Sequence, residues 1–529
     1  MLCSGFLHAL AFPPFDLAEA AYVFAVPLLL WGLFGRPFPR EGLFLFLGGW
    51  LTWIVLVFWL RNFTRHLEFP MAEAVGWLAM LALSFLLAVF WWIWGRVALA
   101  VVRRVRGRGI PWRLMVVPGL AGFWVLLEWV RGTILTGFPW LPLAASQWQR
   151  PLLLQIASVT GSGAVSFILV AFNVGISLYL FLLWKNRRGS WFQRLSFEFY
   201  LALALLFGAI AYGLHTSGAG RGGRLDGPRL GFVQPYAGAM EKWDMERMRE
   251  NLDTLRDLTI LVSYLKPGLI LWPESPTPLP VKGNASMRQW VESLSREVQL
   301  PLLIGNVARE GGAQDPSRKW FNAVFFANPG TGLETDHYYA KRHLVPFGEY
   351  VPRWIPFIDK VVPLEAEFFP GKSAAPVKMF HQGESLGKAG ILICYEDIFP
   401  RLARENTLAG AEWHYVATNN VWYGEEAGAW QHAAHSVLRA VETRRPVVRC
   451  GNAGWSGWID EFGHIRHVML DEDRSIYFQG VEAVDFSLSA FWAGKLSPYV
   501  RRGDWFIAGC GLLSCLLFPA RSGRRFASG

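Results

Sequence analysis

The chain has 529 residues, 53% of them apolar and only 17% charged, with a net charge of +10. Soluble chains carry about 25% charged residues, so an ordinary soluble domain is excluded for the chain as a whole. Much of the Lys and Arg surplus lies in short loops between apolar runs, which argues against nucleic acid as its reason.

The first 215 residues and the last 26 are far more apolar than the middle. Crossing about 30 Å of hydrocarbon takes roughly 20 apolar residues. Spans are expected near Ala18–Phe34, Leu43–Leu60, Val75–Ala100, Leu114–Val130, Ala164–Trp184 and Phe197–Leu214, with a last one at Trp505–Pro519. Met1–Phe12 is too brief to cross untilted: either the chain starts late or this helix enters only partway. It lacks a basic start and a small-residue cleavage site, so it does not read as a cleaved signal. The 27 tryptophans suit the two membrane interfaces. Five arginines in Val101–Arg113, four basic residues in Lys185–Arg194, and Arg521, Arg524 and Arg525 in the tail fall on one side of an alternating topology. The positive-inside rule makes that side cytoplasmic. The expected division is therefore 1–215 as N-terminal membrane helices, 216–503 as a domain on the outer face, and 504–529 as a C-terminal span with a basic cytoplasmic tail.

From about Arg229 short apolar runs (Leu230–Gln234, Leu269–Trp272, Leu302–Val307, Ala323–Ala327, Ile391–Cys394, Tyr415–Thr418, Val447–Cys450) alternate with amphipathic stretches such as Asp244–Leu265 and Trp430–Arg444. Alternating strand and helix signals predict layered α/β packing. Three of these stretches carry chemistry. GILICYEDIFP (Gly390–Pro400) reads as a buried strand delivering Cys394 at its carboxyl end, where open α/β sheets place their sites. LILWPES (Leu269–Ser275) delivers Glu274, and YYAKRHLVPFGEYVP (Tyr338–Pro352) carries Lys341 and Glu349. A thiol, a carboxylate and an amine on separate strand ends form a set for covalent catalysis. The thiolate is the nucleophile, so Glu274 is expected to act as general base and Lys341, with the Tyr395 backbone N–H, as oxyanion donor. Cys3, Cys450, Cys510 and Cys515 read as packing residues, and no spacing argues for a metal.

The order Glu, Lys, Cys within WPES, Y-x-K-x-x-L-V-P-F-G-E and C-Y-E resembles the nitrilase superfamily. LTGFPW (Leu135–Trp140), Trp422–Gly424, Gln431 and His432 extend the resemblance to its membrane branch, the apolipoprotein N-acyltransferases, over nearly the whole chain. The resemblance implies a multi-span α-helical membrane domain joined to an extracytoplasmic nitrilase-like αββα sandwich. It implies a ping-pong acyl transfer without metal or cofactor. Cys394 would take an acyl chain from a phospholipid, with phosphatidylethanolamine the expected donor, and pass it to the N-terminal amine of a diacylglyceryl-cysteine apolipoprotein. Such a protein works in the bacterial inner membrane, and is expected to be a monomer without nucleic-acid partners. Glu349 corresponds to the family's supporting glutamate, and Trp243, Tyr395, Glu396 and Trp422 are expected to border the substrate. A membrane-tethered amidase acting on a small soluble amide needs the same triad and is the alternative.

Three further readings follow from the residues. The apolar, Pro-rich Val351–Pro370 is expected to serve as a lid or lipid-contacting arm or as core, Asp397 as a structural carboxylate, and Glu128 with Arg131 as a costly intramembrane pair needing partners. Asn420 and Trp455 depart from the family's usual residues beside the site.

Overall fold

A computed structural model describes residues 1–65, 71–219, 223–238, 245–312, 315, 317–352 and 367–518. The membrane part comprises α1 (Leu2–Leu10), α2 (Val26–Phe34), α3 (Glu41–Leu56), α4 (Ala72–Val105), α5 (Ile110–Arg131), the short α6 (Pro151–Leu154) and α7 (Ala157–Thr160), α8 (Gly163–Lys185) and α9 (Phe197–Ala219). Among the described residues four helices (α4, α5, α8 and α9) are long and apolar enough to cross a bilayer. A fifth crossing is possible through α3 and the following 3-10 turn Phe58–Thr64, bent by 57°. Glycines let α3 and α4 touch: a Cβ on Gly49 would meet Trp91 at 2.5 Å, and one on Gly95 would meet Leu45 at 2.7 Å.

Two of the expected spans are broken. Ala18–Phe34 is a 3-10 turn, Ala18–Tyr22, followed by a new start at α2, because Pro27 in the first turn of α2 has no N–H to continue a helix. Asn173 on α8 covers the break, accepting from the Ala25 N–H at 2.8 Å and donating to the Ala21 carbonyl at 2.9 Å. In the second break, after α3, the Leu56 carbonyl accepts from the Gln431 amide at 3.0 Å. In an apolar medium freed backbone groups need such partners. The expected C-terminal span is the 11-residue α15 (Trp505–Cys515), and residues from 519 on lie outside the described part.

The rest is a four-layer αββα sandwich. In chain order it holds β1 (Arg224–Asp226), β2 (Leu230–Gln234), α10 (Met245–Ser263), β3 (Leu269–Trp272), α11 (Ala285–Val298), β4 (Leu302–Glu310), β5 (Lys319–Asn328), β6 (Gly332–Leu333) and β7 (Tyr339–Ala340). These are followed by β8 (Val377–His381), β9 (Glu384–Ile393), α12 (Pro400–Leu408), β10 (Trp413–Thr418), α13 (Gly428–Thr443), β11 (Val447–Gly451), β12 (Gly457–Ile459), β13 (Ile465–Val468), β14 (Gly480–Val484), β15 (Ser487–Ser489) and α14 (Pro498–Arg502). One sheet has the order β14-β2-β3-β4-β5-β6, with β7 paired to β5; the other runs β13-β12-β11-β10-β9-β8. β2, β3 and β4 are parallel, as are β9, β10 and β11.

Strand alternation assigns each side chain to a layer. Leu269 and Leu271 of β3 meet Ile391 and Ile393 of β9 between the sheets, whereas Ile270 and Trp272 turn out to Leu255, Val262 and Val291 of α10 and α11. On the other sheet Leu392, Val416 and Val447 turn out to Ala433, Val437 and Val441 of α13, and that layer is continuous with Trp53, Trp140 and Leu154 of the membrane part. One helix layer of the sandwich is thus shared with the membrane helices.

Candidate active site

β3 and β9 run side by side in opposite sheets, and their carboxyl ends open at the same edge. Glu274 follows β3 by one residue past Pro273, Cys394 follows β9 directly, and Lys341 follows β7. The carboxyl end of β10 supplies Thr418 and Asn419. Cys394 adopts φ +50°, a left-handed conformation uncommon for a side chain with a Cβ. It begins a 3-10 turn, Cys394–Ile398, whose first N–H groups have no intrahelical acceptor.

Lys341 is 1% exposed, and its ammonium lies 2.9 Å from Glu349 Oε1 and 3.4 Å from Glu274 Oε1. The Asn322 amide, on β5, donates to the same two oxygens, at 2.7 Å to Glu274 and 2.9 Å to Glu349. One ammonium and one amide therefore hold two carboxylates together. Glu349 is further fixed through Oε2 by the Val345 N–H at 2.8 Å. Burial alone would lower the pKa of Lys341, but the charges of Glu349 and Glu274 hold it well above the usual lysine range, so the ammonium is permanent. Burial pushes the Cys394 thiol up to about 12, and the Glu274 carboxylate adds to this; Lys341, the Thr418 hydroxyl and the Asn419 N–H work the other way. The resting sulfur is a neutral thiol beside a fixed cation.

The structure thus brings Glu274, Lys341, Cys394 and Glu349 together. Glu396 is fully buried. It accepts from the Tyr339 hydroxyl at 2.8 Å and from the N–H groups of Ile393 (2.8 Å), Arg342 (2.7 Å) and His343 (3.1 Å). Its oxygens accept from these protein donors and tie the Lys341 segment to the turn that begins at Cys394. The Tyr395 hydroxyl donates to the Gly137 carbonyl at 3.1 Å, with the ring between Phe138 and Phe399. Trp422 is partly buried, its ring 5.6 Å from that of Phe63. Trp243 and residues 353–366, the greater part of the expected arm, lie outside the described residues. Asp397 is buried between Arg449, Ser436 and His432; burial alone would raise its pKa, but these three neighbours hold it well below the usual carboxylate range. Trp455 is fully buried.

Asn322 escaped the sequence reading. Its signal was an amide inside the run Trp320–Asn328, since a polar side chain in a buried strand costs stability unless it is bonded.

The site borders the membrane part. Glu128 accepts from the Trp124 indole and the Leu143 N–H, both at 2.7 Å, and Arg131 donates to the Trp140 carbonyl at 3.0 Å with its guanidinium 4.9 Å from the Trp53 ring. These intramembrane charges therefore satisfy the backbone of the Leu135–Leu143 loop on which Tyr395 rests.

Two family models match the chain, the apolipoprotein N-acyltransferase N-terminal domain over residues 4–175 and the carbon-nitrogen hydrolase over residues 250–480. An apolipoprotein N-acyltransferase from Geobacter metallireducens is 32% identical over 98% of this chain and 95% of its own length. One from Azotobacter vinelandii is 29% identical over 97% of this chain and 92% of its own. Among solved structures, a variant of the Nesterenkonia AN1 amidase from the nitrilase superfamily is similar at a TM-score of 0.37 and 18% identity, covering 52% of this chain and 94% of the amidase.

Proposed function

Because the chain belongs to the apolipoprotein N-acyltransferase family, and is thereby a multi-pass acyltransferase, we propose that Cys394, Glu274 and Lys341 carry the transfer and that a thioester on Cys394 is its intermediate. The observation that carries this reading is the pairing of one buried ammonium with two carboxylates at the strand end that presents a neutral thiol.

In the first half-reaction the thiol attacks the sn-1 ester carbonyl of a phospholipid, with phosphatidylethanolamine the expected donor. Glu274 Oε1 is committed to Asn322 and Lys341, which leaves Oε2 as the oxygen that takes the thiol proton as the C–S bond forms. The oxyanion faces the Lys341 ammonium and the Tyr395 N–H, fixed charges and dipoles that cost no reorganisation during the reaction. Collapse expels the lysophospholipid alkoxide, which leaves with the proton from Glu274, and the acyl group remains on sulfur. In the second half-reaction the free α-amine of a diacylglyceryl-cysteine apolipoprotein attacks the thioester. Glu274 takes the amine proton and returns it to the departing thiolate. Glu349 keeps Lys341 charged and aimed. Cys394 is only 8% exposed, which supports exclusion of water that would otherwise hydrolyse the thioester.

The basic residues of Val101–Arg113 and Lys185–Arg194 support a cytoplasmic position for those loops. The sandwich then stands on the outer face of the inner membrane, 216–503 being the catalytic unit, with both substrates arriving from the bilayer.

The test is intact-protein mass spectrometry of the purified protein after incubation with phosphatidylethanolamine vesicles, with Cys394→Ala as control. A hydroxylamine-sensitive acyl adduct on the parent protein alone is expected. No adduct, with Cys394 still open to alkylation, would overturn the phospholipid donor in favour of a soluble amide.

A further inference from the structure

His432 lies on α13, fully buried and outside the catalytic set described above. Its Nε2 is 3.1 Å from the Cys394 carbonyl oxygen and 2.7 Å from Asp397 Oδ1. Both neighbours are acceptors, so Nε2 carries the ring proton. Nδ1 faces the Asn420 amide at 3.1 Å. An amide N–H donating to Nδ1 selects the Nε2–H tautomer without adding a charge, which a carboxylate at the same place would not do. The ring cannot swing away, because Trp140 and Tyr423 pack on it with centroids 5.7 Å and 6.0 Å distant. Asp397 is neutralised independently by Arg449 and bonded by the Ser436 hydroxyl at 2.6 Å.

The carbonyl that His432 holds belongs to the same peptide unit as the Tyr395 N–H. In a trans peptide the C=O and N–H point in opposite directions. A carbonyl drawn toward α13, on the outer face of its sheet, therefore turns the Tyr395 N–H the other way, toward the mouth between the sheets where Lys341 stands. Cys394 needs such a restraint, because its φ of +50° is a conformation it would otherwise leave.

We infer that His432 is a positioning residue: together with Asn420 it orients the Cys394–Tyr395 peptide so that its N–H serves as an oxyanion donor. The inference rests on the acyl-enzyme reading above.

The test uses the full-length protein and phosphatidylethanolamine vesicles whose sn-1 chain is ¹³C-labelled at the carbonyl. It compares the parent with His432→Leu and His432→Gln. Adduct formation is timed by mass spectrometry, and the thioester carbonyl stretch is read by isotope-edited infrared spectroscopy. His432→Leu is expected to slow adduct formation by about 10²-fold, the usual loss for one oxyanion donor, and to raise the stretch toward that of a free thioester. His432→Gln, which keeps an N–H for the carbonyl, is expected to recover most of the rate and the lowered stretch. An unchanged stretch in His432→Leu, whatever its rate, would overturn the inference and leave the ring a packing role. If His432→Leu does not fold, a free-thioester stretch in His432→Gln overturns it equally. An absent adduct on the parent protein would instead overturn the acyl-enzyme reading and this inference with it.

Discussion

At pH 7 the Cys394 sulfur is a neutral thiol, since burial and the Glu274 carboxylate push its pKa up to about 12. On the acyl-enzyme proposal, activation therefore comes from proton transfer during attack, with no thiolate stored beforehand. This fixes the sign of two measurements. Alkylation of Cys394 by iodoacetamide is expected to be slow at pH 8 and still rising beyond pH 10, where an exposed thiol with a pKa near 8.5 has levelled off. Glu274→Gln removes the negative charge that opposes the thiolate, so it is expected to speed alkylation at pH 9 while slowing acyl-adduct formation by about 10²-fold or more, the usual scale for a general base. Slower alkylation in that variant would mean that Glu274 does not oppose the thiolate and the assignment would fall. Cys394 and Glu274 were legible because each follows a short apolar run, and Lys341 because of the motif around it. Asn322 was not, because an amide bridging two carboxylates from a third strand leaves no spacing pattern in the chain.

The elements that matter most for docking the sandwich are α13 and the Leu135–Leu143 loop. Gln431 on α13 is fully buried. Its Oε1 accepts from the indoles of Trp59 (2.9 Å) and Trp140 (2.8 Å), and its amide donates to the carbonyls of Pro13 (2.9 Å) and Leu56 (3.0 Å). One side chain of the sandwich thus joins four groups from three stretches of the membrane part. Gln431→Leu is comparable in size but leaves all four groups unpaired, at about 1–3 kcal/mol each before relaxation. The expected outcome is a clear drop in the thermal unfolding midpoint in detergent, with lost activity even in protein that remains folded. A midpoint equal to that of the parent would show that water replaces the amide at that seam. Ser162 to Glu442 at 2.9 Å, Arg444 to Gln155 at 2.6 Å, and Asn62 to the Tyr423 carbonyl at 3.0 Å continue the same seam.

At the scale of the molecule, a single apolar cluster runs from the membrane helices through α12 and α13 to the outer face of the β8–β13 sheet. The other two clusters, between the sheets and under α10 and α11, belong to the sandwich alone. Residues 216–503 expressed alone would expose the apolar side of α12 and α13, a patch far larger than soluble monomers tolerate. We expect that fragment to aggregate, or to stay in solution only with detergent, when followed by size-exclusion chromatography. A folded soluble monomer would show that the shared layer adds little. The same continuity holds the nucleophile turn against the loop that Arg131 and Glu128 anchor, so the site and the bilayer are joined through a few side chains.

By itself the sequence determined the fold class, membrane helices followed by a layered α/β part, and the strand ends at which Glu274 and Cys394 stand, because apolar runs and their periodicity are local properties of the chain. It also made the family evident through motifs whose residues sit close together. Only the tertiary structure decided which polar groups meet. The breaks at Tyr22–Val26 and after Leu56 are sustained because Asn173 and Gln431, distant in the chain, supply the hydrogen bonds that an apolar medium withholds. Glu396 became a tie, and His432 a support for the nucleophile turn, for the same reason: a buried polar group takes its partners from whatever the fold brings within 3 Å, and residue order along the chain does not encode that distance.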